Sequence, residues 1–332
     1  MSEAPEHRGF GAFIRGHEEF LITSHVDPDA DAAGSCLGLA LSLRRMGKGA
    51  DVVLEAPLPR ALRFLPASET VRGADGIDRR YGAAFVLDCA SFERTGAVGT
   101  RCIAPGARIA VIDHHWGNES FGNPRLVNVE ASATAELVAE VIERVQMPLP
   151  AEAAECLYAG VLSDTGGFRY QNTNARALRL AAALLERGAR ASRVAEALYA
   201  TKTLESLRIL GLALSSLEAR SGGRVGALTI SRQMFEEAGA KPEDADGIVQ
   251  YAKSLVGARV GVLIQEVGPQ DIRVSLRSDG SVDVNELAGR FGGGGHKVAA
   301  GVRIRGDLHR IRDELFAALD QAMNGGPASP RG

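Results

Sequence analysis

Five Asp and three His with the spacing of metal ligands stand in four short clusters of this chain. The first is Ser24-His25-Val26-Asp27-Pro28-Asp29-Ala30-Asp31, where three carboxylates and an imidazole crowd into seven residues and would repel one another without a cation. In isolation it reads equally as a solvated loop whose Asp31 caps a helix or as a grip on a divalent ion. In the second, Asp88 closes the apolar run Val86-Leu87, and a turn or cap is an equal reading. In the third, Asp113-His114-His115 follows Val111-Ile112, and an exposed His pair in a loop is the weaker reading. In the fourth, Asp164 ends a helical stretch, where the negative end of the helix dipole disfavours a carboxylate and calls for compensating positive charge. With Asp27 left aside, the donors are too many for one ion and fit two. Mixed Asp/His ligation suits Mn²⁺, with Mg²⁺, Co²⁺ or Zn²⁺ as alternatives. Two ions a few ångströms apart can neutralise a phosphoryl oxygen during hydrolysis.

Three of these clusters need strand ends and one needs a helix end. Short apolar runs at residues 20–24, 51–54, 83–87 and 109–112 read as strands buried on both faces. Residues 32–46, 132–145, 151–162 and 175–186 read as helices, the first stopped by Gly47 and the last by Gly188. This alternation predicts a doubly wound, mainly parallel α/β domain over residues 1–190. In such sheets ligands sit outside the carboxyl ends of the strands. Residues 191–220 read as a helical linker. Strands at 225–230, 260–267, 272–276 and 299–304, with helices at 243–255 and 308–322, then predict a smaller α/β domain over 221–323. Residues 324–332 are rich in Gly, Pro and Ser and are expected to be a disordered tail.

Composition bounds the function. The chain has 332 residues, 45% of them hydrophobic and 24% charged, with formal net charge −3. This balance excludes a disordered chain, a fibre and a generally basic nucleic-acid coat. No apolar stretch is long enough to span a bilayer. The N-terminus has no basic-then-apolar leader, and the four Cys are scattered, which together point to a cytoplasmic protein. Two divalent ions would bring the formal charge from −3 to about +1. The composition therefore argues only against coating of duplex or long strands.

The four clusters, in this order, resemble the DHH phosphoesterase superfamily, whose name motif stands here as Asp113-His114-His115. The second domain adds Gly292-Gly293-Gly294-Gly295-His296, similar to the glycine-rich His motif of the DHH-associated C-terminal domain. The likeness spans about residues 10–322. Within the superfamily, the layout and the runs from Asp88 to Gly96 and from Asp164 to Tyr170 look most like the NrnA-type branch of bifunctional oligoribonucleases and pAp phosphatases. RecJ-type exonucleases usually carry an added domain for which there is no room. Membrane-bound cyclic-dinucleotide phosphodiesterases carry transmembrane segments.

The resemblance implies a site. One cation would be held by His25, Asp29 and Asp88, the other by Asp31, Asp88, His114 and Asp164, with Asp88 shared. His115 would face the scissile phosphate. Asp113 would orient a ligating His by hydrogen bond. Water between the cations would attack, so no Ser or Cys nucleophile is required. In the second domain Gly293, Gly294 and Gly295 could offer backbone N–H groups to an anion. A flexible turn is the bland alternative. His296 beside them, together with Arg277 and Ser278, resembles a phosphate- or nucleotide-contacting segment. Arg94 would be a further candidate for substrate contact. Arg277 reads otherwise as a surface charge and Arg94 as a helix-start residue.

The expected activity is hydrolysis of short single-stranded oligonucleotides and of pAp (3′-phosphoadenosine 5′-phosphate). The expected cofactors are two divalent cations, Mn²⁺ first, with Mg²⁺ or Co²⁺ as alternatives. No membrane and no long duplex partner is expected, and a homodimer is left open. Other enzyme readings are a soluble cyclic-dinucleotide phosphodiesterase and a pyrophosphatase or polyphosphatase. A reading of another class is a non-catalytic nucleic-acid-binding module.

Overall fold

In a computed structural model describing residues 8–55 and 58–324, the chain divides into two compact units between Thr201 and Lys202. The division falls inside the stretch expected as a linker. That stretch is helical over Ala191–Ala195, Glu196–Ala200 and Leu204–Ser215, and it ends in a short strand, Glu218–Arg220. The expected tail lies outside the described residues except for Asn324, which closes the last helix.

The first unit is built on six parallel strands: β1 (Glu19–Thr23), β2 (Gly49–Leu54), β3 (Arg72–Gly73), β4 (Tyr81–Leu87), β5 (Ile103–Asp113) and β6 (Arg125–Val127). Their order is β3-β2-β1-β4-β5-β6, the doubly wound arrangement with a switch point between β1 and β4. One face carries Phe20, Ile22, Val52, Phe85, Leu87, Ala110 and Ile112 into a core shared with α1 (Arg8–Arg15), α2 (Ala30–Arg45), α3 (Thr134–Arg144) and α4 (Ala151–Asp164). The other face, with Leu21, Val53 and Ala84, is covered by short 3₁₀ and π turns that contribute Ala74, Val98 and Cys102. α5 (Ala175–Glu186) and α6 (Ala191–Ala195) complete the unit. All four cysteines are free and buried.

Two of these helices meet unusually closely. A Cβ on Gly34 of α2 would stand 2.4 Å from the Cys156 carbonyl oxygen of α4. Only glycine permits that approach. The contact brings the start of α2, with Asp31, beside the end of α4, with Asp164.

The second unit has a mixed sheet. β7 (Glu218–Arg220), β8 (Val225–Ile230), β9 (Val260–Gly268), β10 (Asp271–Ser278), β11 (Gly294–His296) and β12 (Ala299–Arg305) run in the order β11-β12-β10-β9-β8-β7. Only the β8–β9 pair is parallel. α7 (Leu204–Ser215), α8 (Arg232–Ala238) and α9 (Val249–Lys253) cover Leu228, Ile230 and Leu263 on one face. α10 (Val284–Gly289) and α11 (Leu308–Asn324) close the opposite face over Val262, Val274, Leu276 and Val302.

One expectation is corrected in this unit, and one alternative reading is set aside. The helix at 243–255 is broken into a 3₁₀ turn, Pro242–Ala245, and α9, because Gly247 turns the chain with φ of +83°. The glycine run is not a plain turn, since β11 pairs Gly294, Gly295 and His296 with Gly301, Ala300 and Ala299 of β12. No described helix is long and apolar enough to cross a membrane.

Candidate metal centre

The site forms where β1, β4 and β5 end, at the switch point of the sheet. Ser24 and His25 follow β1, Asp88 follows β4, and Asp113 ends β5 with His114 and His115 beyond it. Asp88 takes a left-handed backbone, φ +52°, a conformation costly for most residues and tolerated best by Asp, Asn and Gly. Its N–H still donates to the Ile112 carbonyl at 2.9 Å, so the strand ladder fixes it at its last rung. Thr134 Oγ1 donates to Asp88 Oδ1 at 2.9 Å.

Asp31 lies in the first turn of α2, and the residue that caps this helix is Asp29, whose Oδ1 accepts from the N–H groups of Asp31 and Ala32. This corrects the reading of Asp31 as the cap. Asp31 instead caps a different helix. Its carboxylate accepts from the N–H groups of Thr134 at 2.6 Å and Ala135 at 2.9 Å, at the start of α3, where Ala133 supplies no side-chain cap. Oδ1 also accepts from Ser35 Oγ at 3.2 Å, whereas Oδ2 keeps a second acceptor site.

The donors converge in overlapping groups. His25, Asp29 and Asp88 each bring one donor atom within 4.8 Å of the others, as do Asp31, His114 and Asp164. His114 Nε2 is 3.3 Å from Asp164 Oδ2, 3.6 Å from Asp88 Oδ1 and 4.0 Å from Asp31 Oδ2. His25 Nε2 is 3.6 Å from Asp88 Oδ2. Most of these separations are too long for hydrogen bonds. They suit atoms sharing a cation, because two ligands each about 2.1 Å from one ion lie from about 3.0 Å apart at a right angle to about 4.2 Å apart on opposite sides. The buried His25 Nδ1 has no hydrogen-bond partner among the described residues. The donor set and its spacing fit divalent cations.

Asp113 behaves differently. Its Oδ1 is 2.7 Å from His115 Nδ1, a true hydrogen-bond length, and its Oδ2 accepts from Asn118 Nδ2 at 2.8 Å. Asp113 was expected to orient a ligating histidine. It orients His115, whereas His114 Nδ1 faces the Ala131 carbonyl at 3.3 Å. A proton on His115 Nδ1 leaves Nε2 as the working atom.

Burial pushes Asp31 well above the usual carboxylate range, and the charges of Asp88 and Asp29 push the same way. Burial also opposes ionisation of Asp88, but His25, His115 and His114 around it hold it well below that range. Burial lowers the His115 pKa, but the bond from Asp113 and the charge of Asp88 outweigh it and raise the value to about 9. Arg94, exposed in the 3₁₀ turn Phe92–Thr95, is near enough to press His115 the other way.

In the second unit, Arg277 and His296 both pair with Ala299, from opposite sides, so they occupy one rung across β10, β12 and β11. The Ser278 N–H is taken by the Val298 carbonyl at 2.8 Å, and its hydroxyl accepts from the Gly280 N–H at 3.0 Å. The Gly293 N–H is committed to the Ala288 carbonyl at 2.9 Å, and a Cβ there would stand 2.3 Å from the Gly301 oxygen. Gly293 is therefore explained by packing on β12. Gly294 has open space, with only Asn285 Oδ1 near, at 3.7 Å.

Sequence reasoning missed Thr134, Asn118, Ser35 and Asn172. Ser35 Oγ donates to Asp31 Oδ1 at 3.2 Å, and Asn172 Nδ2 donates to the Asp164 carbonyl at 3.1 Å. Each is a small polar residue in a loop or the first two turns of a helix, a type that sequence alone does not distinguish from other polar positions.

Residues 19–161 match the DHH family, N-terminal domain, and residues 222–325 match the DHHA1 domain. A bifunctional oligoribonuclease and PAP phosphatase NrnA from Thermus thermophilus is 34% identical over 303 residues, covering 91% of this chain and 89% of that protein. Its counterpart from Bacillus subtilis is 29% identical, covering 87% and 90%. A crystal structure of an exopolyphosphatase-related protein from Bacteroides fragilis superposes with TM-score 0.90 at 25% identity, covering 98% of this chain and all of that one. With its donors at the ends of β1, β4, β5 and α4, the chain belongs to the DHH family of phosphoesterases, a DHH domain followed by a DHHA1 domain.

Proposed function

We propose that this protein uses two divalent cations to hydrolyse short single-stranded oligoribonucleotides to mononucleotides and to remove the 3′-phosphate of pAp. One observation carries the two-cation reading. The two oxygens of Asp88 face different donors, Oδ2 at 3.6 Å from His25 Nε2 and Oδ1 at 3.6 Å from His114 Nε2. His25, Asp29 and Asp88 would hold one ion, and Asp31, Asp88, His114 and Asp164 the other. Mn²⁺ is the first choice, with Mg²⁺ or Co²⁺ as alternatives. When bound, the pair supplies positive charge to the phosphoryl oxygens and lowers the pKa of water. The substrate choice rests on the names of the Thermus thermophilus and Bacillus subtilis relatives.

The protein's own groups then divide the work. Asp113, braced by Asn118, holds His115 by Nδ1, so Nε2 can present a proton to the leaving oxygen. Thr134 fixes the rotation of the Asp88 carboxylate. Arg94 would add charge beside the phosphate. Arg277, Ser278, Gly294 and His296 would contact substrate from the second unit, with Gly293 and Gly295 shaping the strand. The same reading places the protein in the cytoplasm.

The test is a panel with Mn²⁺ containing a dinucleotide, a five-mer, a long RNA, pAp, a cyclic dinucleotide and pyrophosphate. Preference for the dinucleotide, the five-mer and pAp is expected. Preference for the long RNA, pyrophosphate or the cyclic dinucleotide would overturn the substrate choice. Full activity of His114→Ala would overturn the two-cation site.

A further inference from the structure

We propose that Trp116 is the stacking platform for the nucleobase beside the scissile phosphate, and so a specificity-determining residue. This rests on reading the site as one for nucleotide phosphates. Trp116 directly follows His115, and it is the sole tryptophan of the chain. It is also 78% exposed.

An exposed indole on a loose loop would mean little, but this turn is anchored on both sides. His115 is held by its N–H and its Nδ1 on Asp113 Oδ1. Gly117 turns the chain with φ of +76°. Asn118 Nδ2 donates to Asp113 Oδ2 at 2.8 Å and to the Cys89 carbonyl at 3.3 Å, and the Glu119 N–H donates to the Ala90 carbonyl at 2.9 Å. Phe121 packs on Val86, Cys89 and Val111 and meets the Phe92 ring at 6.0 Å, edge to face. The residues that brace His115 thus also fix the backbone carrying Trp116.

The fold gains little from the indole, because large apolar side chains stabilise a protein by leaving water and most of this one does not. A ligand surface is what this exposed ring offers. A phosphate facing His115 has its sugar and base within a few ångströms, and one Cα–Cα step of about 3.8 Å separates His115 from Trp116. An indole stacks on any base, because every base has a π face. That matches an enzyme that degrades short RNAs of mixed sequence, and it predicts a graded preference for purines over pyrimidines.

Trp116 also reports on itself, since protein emission excited at tryptophan wavelengths is its own. The Mg²⁺-loaded enzyme is titrated with AMP and, separately, with ribose 5-phosphate. AMP should change the emission in a saturable way, and ribose 5-phosphate should leave it unchanged at concentrations that compete for the site. In kinetics, Trp116→Ala should raise KM for an adenine dinucleotide roughly tenfold or more. Its kcat should move less, and Trp116→Phe should recover most of the loss. The preference of wild type for that dinucleotide over one with an abasic residue should collapse in Trp116→Ala. Unaltered emission at AMP concentrations that inhibit wild type, or an unaltered KM, would overturn the stacking role. A wild-type enzyme inert toward the dinucleotide and pAp would instead overturn the functional reading beneath it.

Discussion

The two sheets of this protein expose chemistry in opposite ways. In the parallel sheet, β1 and β4 are buried almost throughout, so only strand ends can meet a ligand. In the mixed sheet β8 and much of β9 are buried likewise, but β10 and β12 alternate. On β10 and β12 the residues facing the core are Ile272, Val274, Leu276, Ala300 and Val302, while Arg273, Arg277, Gly301 and Arg303 point the other way, exposed or half-buried. Strand ends bring residues distant in sequence onto one point, as a metal pair requires. A sheet face spreads side chains at strand spacing, about 4.8 Å, as contacts along an extended ligand require. Convergent donors should therefore give all-or-none effects, and the face should give graded ones.

The largest effect should come from Asp88→Asn. Asn accepts the left-handed backbone and can still bond Thr134, but it removes the charge that faces His25, His114 and His115. Hydrolysis should fall by about 10³-fold or more, with the thermal unfolding transition retained. Substantial activity would break the contrast between ends and face. The next effect is on stability. Gly34→Ala puts a methyl group against the Cys156 backbone and must spread α2 from α4. A cost of about 2–3 kcal/mol is expected, seen as faster amide exchange in the first unit with that of the second unchanged. Equal loosening of both units would refute the assignment of that contact to the first unit alone.

On the other sheet, a pair of substitutions separates architecture from binding. Gly293→Ala forces a Cβ onto β12 and should destabilise the second unit by about 1–2 kcal/mol. Gly294→Ala meets open space and should leave stability within about 0.5 kcal/mol, while raising KM if substrate backbone approaches there. The reverse pattern would restore the glycine run as a mobile loop.

These contrasts also explain what could be read from the sequence. An apolar run followed by Asp or His marks a buried strand and its end in the same few residues, so the ends of β1, β4 and β5 were legible together with their donors. α5 was legible to the residue. β3 and β6, of two and three residues, exist only through pairing with a longer neighbour and leave no period to detect. β11 is hidden for a different reason: glycine has no strand preference, and close packing on β12 determines the strand. α8 and α10 are too short for a clear stripe. The break before α9 did carry a signal, Asp246-Gly247, which is turn chemistry inside an otherwise helical pattern. Asp31 was recognised as a donor but not as the cap of α3, because a cap supplied by another helix has no sequence spacing.

The smallest effect concerns how each unit secures its last helix. α11 is held by Ile311, Leu315, Phe316 and Leu319 in an apolar core. α6 is tied to α4 through the buried Glu155, which accepts from Arg190 Nε at 2.7 Å and Nη2 at 3.0 Å and is paired with Arg193. Burial alone would raise the Glu155 pKa, but the bonds and charge of Arg190 and the charge of Arg193 bring it below its usual value. A carboxylate with a depressed folded pKa contributes stability above its unfolded pKa of about 4.3 and loses it as pH falls through the folded value. Amide exchange near 190–200 should therefore be slower in wild type than in Glu155→Gln at pH 7. That difference should close on acidification below about pH 4, while exchange in α11 should be the same in wild type and Glu155→Gln at either pH. Both arginines reach solvent, so added salt should narrow the gap as well. A gap that persists unchanged at acid pH would mean that Glu155 acts by shape alone, and the charge-held and apolar-held helices would then differ in composition but not in response.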